Sequence, residues 1–181
     1  MVKLGNKLKS KKIKIGVLGG TFDPSHKGHL EISKQAKRKF ELKNIIWAIT
    51  KKNPFKNKTL FSLSERIKKS KNITKKNKKI KIKYFEKKIN STNTIDLVKH
   101  LNKTLKKNIF FLIIGSDCLI NFHKWKKWEL LTELTKIVVF SRKDFDDKAK
   151  KSVIIKKVKK IIFIKNKQIN ISSTQIREKL S

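Results

Sequence analysis

The sequence predicts an α/β domain with a mostly parallel sheet. Six short apolar runs, rich in Ile, Val and Phe, alternate with amphipathic stretches almost to the end of the chain. The run at 109–114 is apolar at every position, which is typical of a strand buried on both faces of a parallel sheet. Alternating strands and helices of this kind imply right-handed crossovers between parallel strands.

The apolar runs predict the strands, and helix signals stand between them. The runs occupy residues 13–18, 45–49, 80–85, 109–114, 137–140 and 161–164. The first helix is expected over 30–40. The second begins at a capping box, in which Ser62 and Glu65 satisfy each other's backbone donors. The third, over 94–105, has its apolar residues on one face, and a second capping box at Ser172 opens the last helix.

Length and composition indicate one globular domain. The chain has 181 residues, and 38% of them are hydrophobic, so we expect a basic tail over 1–12 and a single domain over 13–181. A single cysteine, Cys118, excludes an internal disulfide and is typical of a reducing compartment. The apolar runs are far shorter than the ~20 residues that span a bilayer, and no signal-peptide pattern is present. We therefore expect a cytoplasmic protein without a membrane segment.

The charge is strongly basic. Lys and Arg number 49 against 13 acidic residues, a formal net charge of +36, and because four of the 49 are Arg, 45 are Lys. A protein specialised for nucleic acid usually carries more Arg, whose guanidinium binds phosphate and guanine bidentately. The excess of Lys therefore favours a solvated surface, with attraction of an anionic partner as the alternative. Both interpretations allow a phosphate-rich substrate.

The most informative segment is GVLGGTFDPSHKGH at 16–29, which follows the first strand. It matches neither the dinucleotide fingerprint nor the P-loop. Gly19 and Gly20 have no side chains, so a ligand can lie against the backbone at the carboxyl end of the strand. His26 and His29 are expected where a helix begins, and such a helix start favours phosphate oxygens. They would stabilise charge during phosphoryl transfer, and no third metal ligand stands at a recognised spacing.

Polar residues near later strand ends and near the C-terminus add further candidates. Asp117 follows a buried strand, where it would accept hydrogen bonds from ribose hydroxyls or cap the next helix. Ser172, Ser173 and Thr174 open a helix and form a second candidate anion site. Arg177, one turn further on, would clamp phosphate oxygens or form a surface ion pair.

These segments resemble a known superfamily. GGTFDPSHKGHL at 19–30 resembles the H-x-G-H motif of nucleotidylyltransferases, and ISSTQIR at 171–177 resembles their C-terminal I-S-S-T-x-x-R motif. GSDCLINFHKWKKW at 115–128 is similar to the G-x-D-x-L-x-x-F-x-x-W segment of bacterial nicotinate-nucleotide adenylyltransferases. TNTID at 92–96 and NPFK at 53–56 resemble two more segments of that family. The resemblance covers nearly the whole chain.

The resemblance implies a Rossmann-like nucleotidylyltransferase fold with helices on both faces of the sheet. It also implies a reaction in NAD biosynthesis: ATP transfers its adenylyl group to nicotinate mononucleotide, giving nicotinate adenine dinucleotide and pyrophosphate. Mg²⁺ is expected to arrive with ATP rather than in a protein metal site. One alternative is another adenylyl- or cytidylyltransferase, such as phosphopantetheine adenylyltransferase. Another is a non-catalytic basic RNA-binding protein, although no RRM, KH or zinc pattern is present.

The resemblance also assigns roles to individual residues. The implied catalytic residues are His26, His29 and Arg177. The implied ATP-binding residues are Gly19, Gly20, Thr21, Phe22, Gly115, Asp117, Ile171, Ser172, Ser173 and Thr174. The implied mononucleotide-binding residues are Lys56, Thr94, Trp125 and Arg142. By this resemblance Trp125 forms a flat wall for the pyridine ring, where stacking adds about 0.5–1.5 kcal/mol beyond burial, while Trp128 belongs to the core. Thr94 has a second interpretation, as the cap of the third helix.

The basic charge generates a first prediction. Nucleic acid should bind non-specifically through counterion release, and its affinity should fall about 10³-fold or more between about 50 and 200 mM salt. Adenylyl transfer should fall only modestly, because exposed charges are screened beyond about 8 Å whereas substrate phosphates make direct contacts. Fluorescence anisotropy with labelled RNA and an assay of pyrophosphate release would measure the two. Sequence-selective RNA binding that persists at physiological salt, without pyrophosphate release, would instead indicate an RNA-binding protein.

Overall fold

A six-stranded sheet lies at the centre of the computed structural model, which describes residues 12–52, 59–158, 160–165 and 173–178. Its strands are β1 (Lys14–Gly20), β2 (Asn44–Ile49), β3 (Ile80–Lys83), β4 (Ile109–Gly115), β5 (Lys136–Phe140) and β6 (Ile161–Ile164). Neighbouring strands are parallel and lie in the order β3-β2-β1-β4-β5-β6. The predicted α/β fold is therefore confirmed, and this strand order is that of a doubly wound Rossmann-like sheet.

Helices cover both faces of this sheet in the part of the chain that the structure describes. They are α1 (Lys27–Phe40), α2 (Leu63–Thr74), α3 (Glu86–Ile89), α4 (Thr94–Thr104), α5 (Ser116–Ile120), α6 (Trp128–Leu134), α7 (Asp146–Lys150), α8 (Val153–Lys157) and α9 (Ser173–Glu178). Apolar residues of α1 and α2 pack in one core layer, and those of α4 to α8 pack in the other. Along β1, Ile15 and Val17 enter one layer and Leu18 enters the other, as expected of a strand buried on both faces. None of the described helices is long and apolar enough to cross a membrane.

Two element boundaries that differ from the predicted ones lie beside helix starts. The first helix begins at Lys27, three residues earlier than predicted, because the His26 side chain caps it. β3 ends two residues earlier than predicted, since Phe85 already occupies the N-cap position of α3. The capping box at the start of α2 is confirmed: Glu65 N donates to Ser62 Oγ over 3.3 Å and Ser62 N to Glu65 Oε2 over 2.9 Å. The second predicted capping box includes Ser172, which lies outside the described residues.

The strand order creates a crevice at the centre of the sheet. After β1 the chain moves outward through β2 and β3, and it then crosses back to build β4, β5 and β6 on the other side of β1. The carboxyl ends of β1 and β4 therefore lie side by side at the point where the winding reverses, which is where open α/β sheets bind ligands. The glycine turn and the histidines follow β1, and Asp117 follows β4.

Two glycines of β1 differ in what surrounds them. A Cβ atom added at Gly16 would lie 2.9 Å from Leu42 Cδ1 and 3.0 Å from Ile113 Cδ1 and Ile45 Cγ1, so the core leaves no room for a side chain. A Cβ atom at Gly19 would have nothing within 4 Å. Gly16 is therefore required by packing, whereas Gly19 leaves the backbone open at the edge of the sheet.

The glycine pair provides a stability test. Gly16→Ala should lower the free energy of unfolding by about 1–3 kcal/mol, because the added methyl group overpacks the core. Gly19→Ala should leave that free energy within about 0.5 kcal/mol of wild type, since the position is open. Urea denaturation of both variants measures the difference. Equal losses in the two variants would contradict the packing argument.

Candidate active site

The two predicted histidines form a reciprocal capping box at the start of α1. His26 Nδ1 accepts a hydrogen bond from Gly28 N over 3.1 Å, and His29 Nδ1 accepts one from His26 N over 3.3 Å. The ring centroids are 3.9 Å apart, so the two imidazoles lie side by side. Because Nδ1 accepts in both rings, the proton of each neutral imidazole lies on Nε2. Both side chains therefore present an Nε2 donor beside the end of β1.

Burial determines the charge of His26. The residue is only 5% exposed. Its pKa is lowered from 6.5 to about 4, first because burial disfavours the imidazolium and second because the Arg142 cation is nearby. At neutral pH His26 is therefore uncharged. It can donate a hydrogen bond to a phosphate oxygen, but it does not contribute a positive charge.

The buried rings of Phe22 and Trp47 pack next to His29. The Phe22 ring is 4.8 Å from the His29 ring and 4.8 Å from the Trp47 ring, and the latter pair is stacked. Trp47 Nε1 donates to Ser33 Oγ, and Ser33 Oγ in turn donates to the carbonyl oxygen of His29, each over 2.8 Å. The structure thus places Phe22, an implied ATP-binding residue, in the core under His29. The sequence analysis missed Trp47 and Ser33, and the one signal was that a tryptophan in a buried strand needs a partner for its N–H.

The carboxyl end of β4 carries an ion pair. Asp117 Oδ2 lies 3.2 Å from Arg142 Nη1, and Arg142 N donates to Ser116 Oγ over 2.9 Å. A Cβ atom at Gly115 would collide with Asp117 Oδ1 and lie 3.0 Å from Arg142 Nε, so only glycine lets this pair close over the strand end. Asp117 Oδ1 is buried and has no hydrogen-bond partner among the described residues. Gly115 holds the N-cap position of α5, so the alternative that Asp117 caps the helix is wrong.

A cavity lies between the ends of β1 and β2 and the start of α4. Phe85 and Leu97 provide apolar walls, and Glu86, Asn93 and Thr94 provide polar ones. Thr94 therefore lines a cavity, as its predicted binding role requires. The alternative that Thr94 caps the helix is wrong, because Asn93 holds the N-cap position of α4.

The two tryptophans occupy different environments. Trp128 is 8% exposed and belongs to the core, as predicted. Trp125 is half-buried, and its ring stacks on Phe122 with the centroids 4.8 Å apart. It packs against the same core cluster as Phe85, which lines the cavity, but Trp125 itself is not part of the lining. Its role as a wall for the pyridine ring remains a prediction.

The C-terminal motif contacts the turn that follows β1. Ser173 Oγ donates to the Pro24 carbonyl over 2.9 Å, and Arg177 Nη1 donates to the Asp23 carbonyl over 2.8 Å. Arg177 Nη2 also donates to Thr174 Oγ1 over 3.1 Å. The fold thus brings segments about 150 residues apart into one site. Ile171, Ser172 and Lys56 lie outside the described residues, so their predicted roles remain predictions.

A buried arginine that the sequence analysis did not select lies behind these loops. Arg66 is 1% exposed. Its guanidinium donates to the carbonyls of Thr21 and Thr50 over 2.7 Å and to those of Lys51 and Phe61 over 3.0 Å. It therefore ties the chain after β1 to the chain after β2. In the sequence Arg66 looks like another helix-surface cation, and its burial follows only from tertiary packing.

The arrangement can bind a phosphate chain and a sugar together. His26, His29 and Arg177 provide donors at the turn after β1. Asp117 Oδ1 has no hydrogen-bond partner among the described residues, so it can accept a hydrogen bond from a ribose hydroxyl. The cavity beside α4 offers mixed apolar and polar walls on the other side of β1. Two ligands can thus approach each other across the end of β1.

Comparison with known proteins identifies relatives along nearly the whole chain. The family model described as cytidylyltransferase-like matches residues 17–179. A Pelagibacter ubique protein named "Probable nicotinate-nucleotide adenylyltransferase" is 55% identical over 180 residues, covering 98% of this chain and 99% of the relative. A Clostridium tetani protein of the same name is 35% identical over 173 residues, covering 92% and 86%.

Solved structures share the fold. Plasmodium falciparum nicotinic acid mononucleotide adenylyltransferase, solved in complex with NaAD, superimposes with a TM-score of 0.75 over 92% of this chain and 83% of that one. The sequence identity is 23%, so this likeness concerns the arrangement of strands and helices.

The capping role of His26 generates a prediction about stability. His26→Asn should keep the free energy of unfolding within about 0.5 kcal/mol of wild type, because Asn Oδ1 can accept from Gly28 N as imidazole Nδ1 does. His26→Ala should cost about 1 kcal/mol, because it leaves this donor without a side-chain acceptor. Urea denaturation at neutral pH would measure both variants. A loss in His26→Asn as large as that in His26→Ala would contradict the capping geometry.

A comparison of wild type with His26→Asn over a range of pH tests the pKa of His26. The unfolded chain takes up the proton near pH 6.5, whereas the folded protein excludes it down to about pH 4. Between these values the unfolded state binds more protons, so the stabilising contribution present above pH 6.5 is lost as the pH falls to about 4. The difference in unfolding free energy between wild type and His26→Asn should therefore change across this window and level off below it. A difference independent of pH would show that His26 titrates normally in the folded state.

Proposed function

The chain belongs to the cytidylyltransferase-like family and, within it, to the nicotinate-nucleotide adenylyltransferases, and from this premise we propose how its site carries out their reaction. The enzyme transfers the adenylyl group of ATP to nicotinate mononucleotide in NAD biosynthesis. The products are nicotinate adenine dinucleotide and pyrophosphate. The contact of the C-terminal motif with the turn after β1 supports this assignment, because Arg177 donates to the carbonyl of Asp23 in the turn that leads to the histidine pair.

The two substrates bind on opposite sides of the end of β1. ATP lies along the glycine turn and the start of α1, where Gly19 leaves the backbone open. A hydroxyl of its ribose donates to Asp117 Oδ1, which is buried and has no partner in the described ranges. The mononucleotide binds at the mouth of the cavity beside α4 that Thr94 lines. Trp125, half-buried against the same core cluster as the cavity residue Phe85, is the wall proposed for its pyridine ring.

The reaction requires no nucleophile from the protein. A phosphate oxygen of nicotinate mononucleotide attacks the α-phosphorus of ATP and forms the new P–O bond. The bond from the α-phosphorus to the oxygen that bridges it to the β-phosphate breaks, and pyrophosphate leaves with that electron pair. Because both reactants are anions, catalysis consists of holding them in line and stabilising the charge that develops.

The histidines and arginines divide this electrostatic task. The Nε2–H groups of His26 and His29 donate to phosphate oxygens in an arrangement that the capping box holds rigid. Since His26 is neutral, positive charge must come from elsewhere in the site. Arg177 supplies it from the C-terminal helix, and Arg142 supplies it from the end of β5 while paired with Asp117.

A divalent cation bound with ATP would complete the charge balance on the triphosphate. Within the described ranges, no group of three or more His, Cys, Asp and Glu side chains could hold a metal ion. Mg²⁺ prefers to keep several waters and binds substrate phosphates, which fits a site without a protein cage. The ion would be held by ATP and water, where it neutralises part of the phosphate charge.

A pyrophosphate-release assay tests the assignment. The purified chain with ATP and Mg²⁺ should release pyrophosphate with nicotinate mononucleotide, and more slowly or not at all with nicotinamide mononucleotide or phosphopantetheine. His26→Asn should lower turnover about 10²-fold or more, because it removes a preorganised donor while keeping the helix cap. Release with phosphopantetheine alone would indicate a different reaction of the superfamily. Near-full turnover in His26→Asn would show that His26 serves only as a cap.

A further inference from the structure

Asp23 connects three segments of the site, and the mechanism above does not use it. Its side chain is 3% exposed. Oδ2 accepts a hydrogen bond from Leu60 N and Oδ1 accepts one from Phe61 N, each over 2.9 Å. The main-chain carbonyl of Asp23 accepts from Arg177 Nη1 over 2.8 Å, and the same nitrogen lies 3.8 Å from Oδ2. One residue thus touches the turn before His26, the segment before α2, and α9.

We propose that Asp23 is a positioning residue that holds Arg177 in place for adenylyl transfer. The proposal rests on the role given above to Arg177. A buried carboxylate is costly unless hydrogen bonds and an opposite charge compensate it. Two backbone N–H groups fix the carboxylate of Asp23, and opposite charge comes from the guanidinium of Arg177 and from the buried Arg66 nearby.

The geometry makes the contact directional. Arg177 Nη1 meets two acceptors of one residue, a carbonyl at hydrogen-bond distance and a carboxylate charge just beyond it. Nη2 is held by Thr174 of the same helix. A planar guanidinium bound through both terminal nitrogens has a defined orientation. The Arg177 side chain remains 28% exposed, so it is held at the surface of the cleft rather than enclosed.

The position of Asp23 in the chain explains why its contact with Arg177 matters for the reaction. The residue lies three positions before His26, in the turn that leads into the capping box of α1. Fixing Arg177 to this turn fixes its distance from the imidazole donors. The orientation of Arg177 relative to the histidines then depends on Asp23, through its main-chain carbonyl and its buried carboxylate.

Nuclear magnetic resonance of arginine side chains tests the contact without relying on activity. The chain has four arginines, so the Nε–Hε spectrum of the full-length protein contains few signals, which single Arg→Lys variants assign. Asp23→Asn keeps the size of the side chain and removes its charge. The Nε–Hε signal of Arg177 should then move toward the chemical shift of a free guanidinium, and its Hε proton should exchange faster with water. The signal of the exposed Arg38 on α1 serves as the control and should not change.

A double-mutant cycle tests the consequence for catalysis. Asp23→Asn should lower kcat about tenfold, as expected for about 1.4 kcal/mol of lost transition-state stabilisation, with little change in the KM for the mononucleotide. In an Arg177→Lys background the same change should lower kcat less than twofold, because the group that Asp23 positions is already lost. Asp23→Glu keeps the charge and should recover part of both the signal and kcat. Melting curves for every variant confirm that the assays are run on folded protein.

The outcomes separate this inference from the proposed function. An unchanged Arg177 signal in Asp23→Asn would overturn the inference, as would an equal loss of kcat in the two backgrounds. If Asp23→Asn does not fold, Arg177→Lys decides instead: the backbone amide signals of Leu60 and Phe61, which donate to the Asp23 carboxylate, should move, and unmoved amide signals would overturn the inference. A wild-type protein that releases no pyrophosphate would refute the proposed function instead, and the Arg177 signal would still report on the contact.

Discussion

The hydrogen bond from Gly28 N to His26 Nδ1 links the folding of this domain to its chemistry. As an N-cap it satisfies a backbone donor at the start of α1, which packs on the sheet. As a constraint on the ring it leaves the proton on Nε2 and directs that donor away from the helix. The burial that comes with this position keeps the ring neutral. Fold stability and the hydrogen-bond character of the site therefore depend on the same contact.

The arginines show how a lysine-rich chain meets geometric requirements. Arg66 donates to four carbonyls behind the loops, Arg142 pairs with Asp117, and Arg177 bridges the turn and α9. Each makes contacts that a planar guanidinium can form through several donors and a single ammonium group cannot reproduce. Lysine serves where a solvated point charge is sufficient, over most of the surface. The high net charge therefore does not indicate where the site lies, whereas the positions of Arg66, Arg142 and Arg177 do.

Two candidate ligand-binding features meet at the carboxyl end of β1. On the β4 side, its carboxyl end adjoins the ion pair and the acceptor at Asp117. The cavity lined by Thr94 spans this strand, because Val17 of β1, Ala48 of β2 and Leu112 of β4 also line it. Gly19, at the end of the strand, lines the cavity and leaves the backbone open to a ligand. Gly16, earlier in the same strand, is packed tightly in the core. A central parallel strand thus brings two anionic substrates together at one edge.

The sequence by itself determined the layered fold and the chemical class of the site. An apolar run marks a strand because a strand buried on both faces needs apolar side chains at every position. The motif residues around His26 and His29 are close together in the sequence. Both signals can therefore be recognised along the chain. Tertiary structure decided what depends on contacts between distant residues: the neutral state of His26, the burial of Arg66, and the meeting of Arg177 with Asp23. Local pattern also allowed Asp117 and Thr94 to be helix caps as an alternative to binding, whereas the structure places both residues inside their helices. Desolvation and hydrogen-bond partners arise only when separate segments pack together, and no local pattern of residues encodes them.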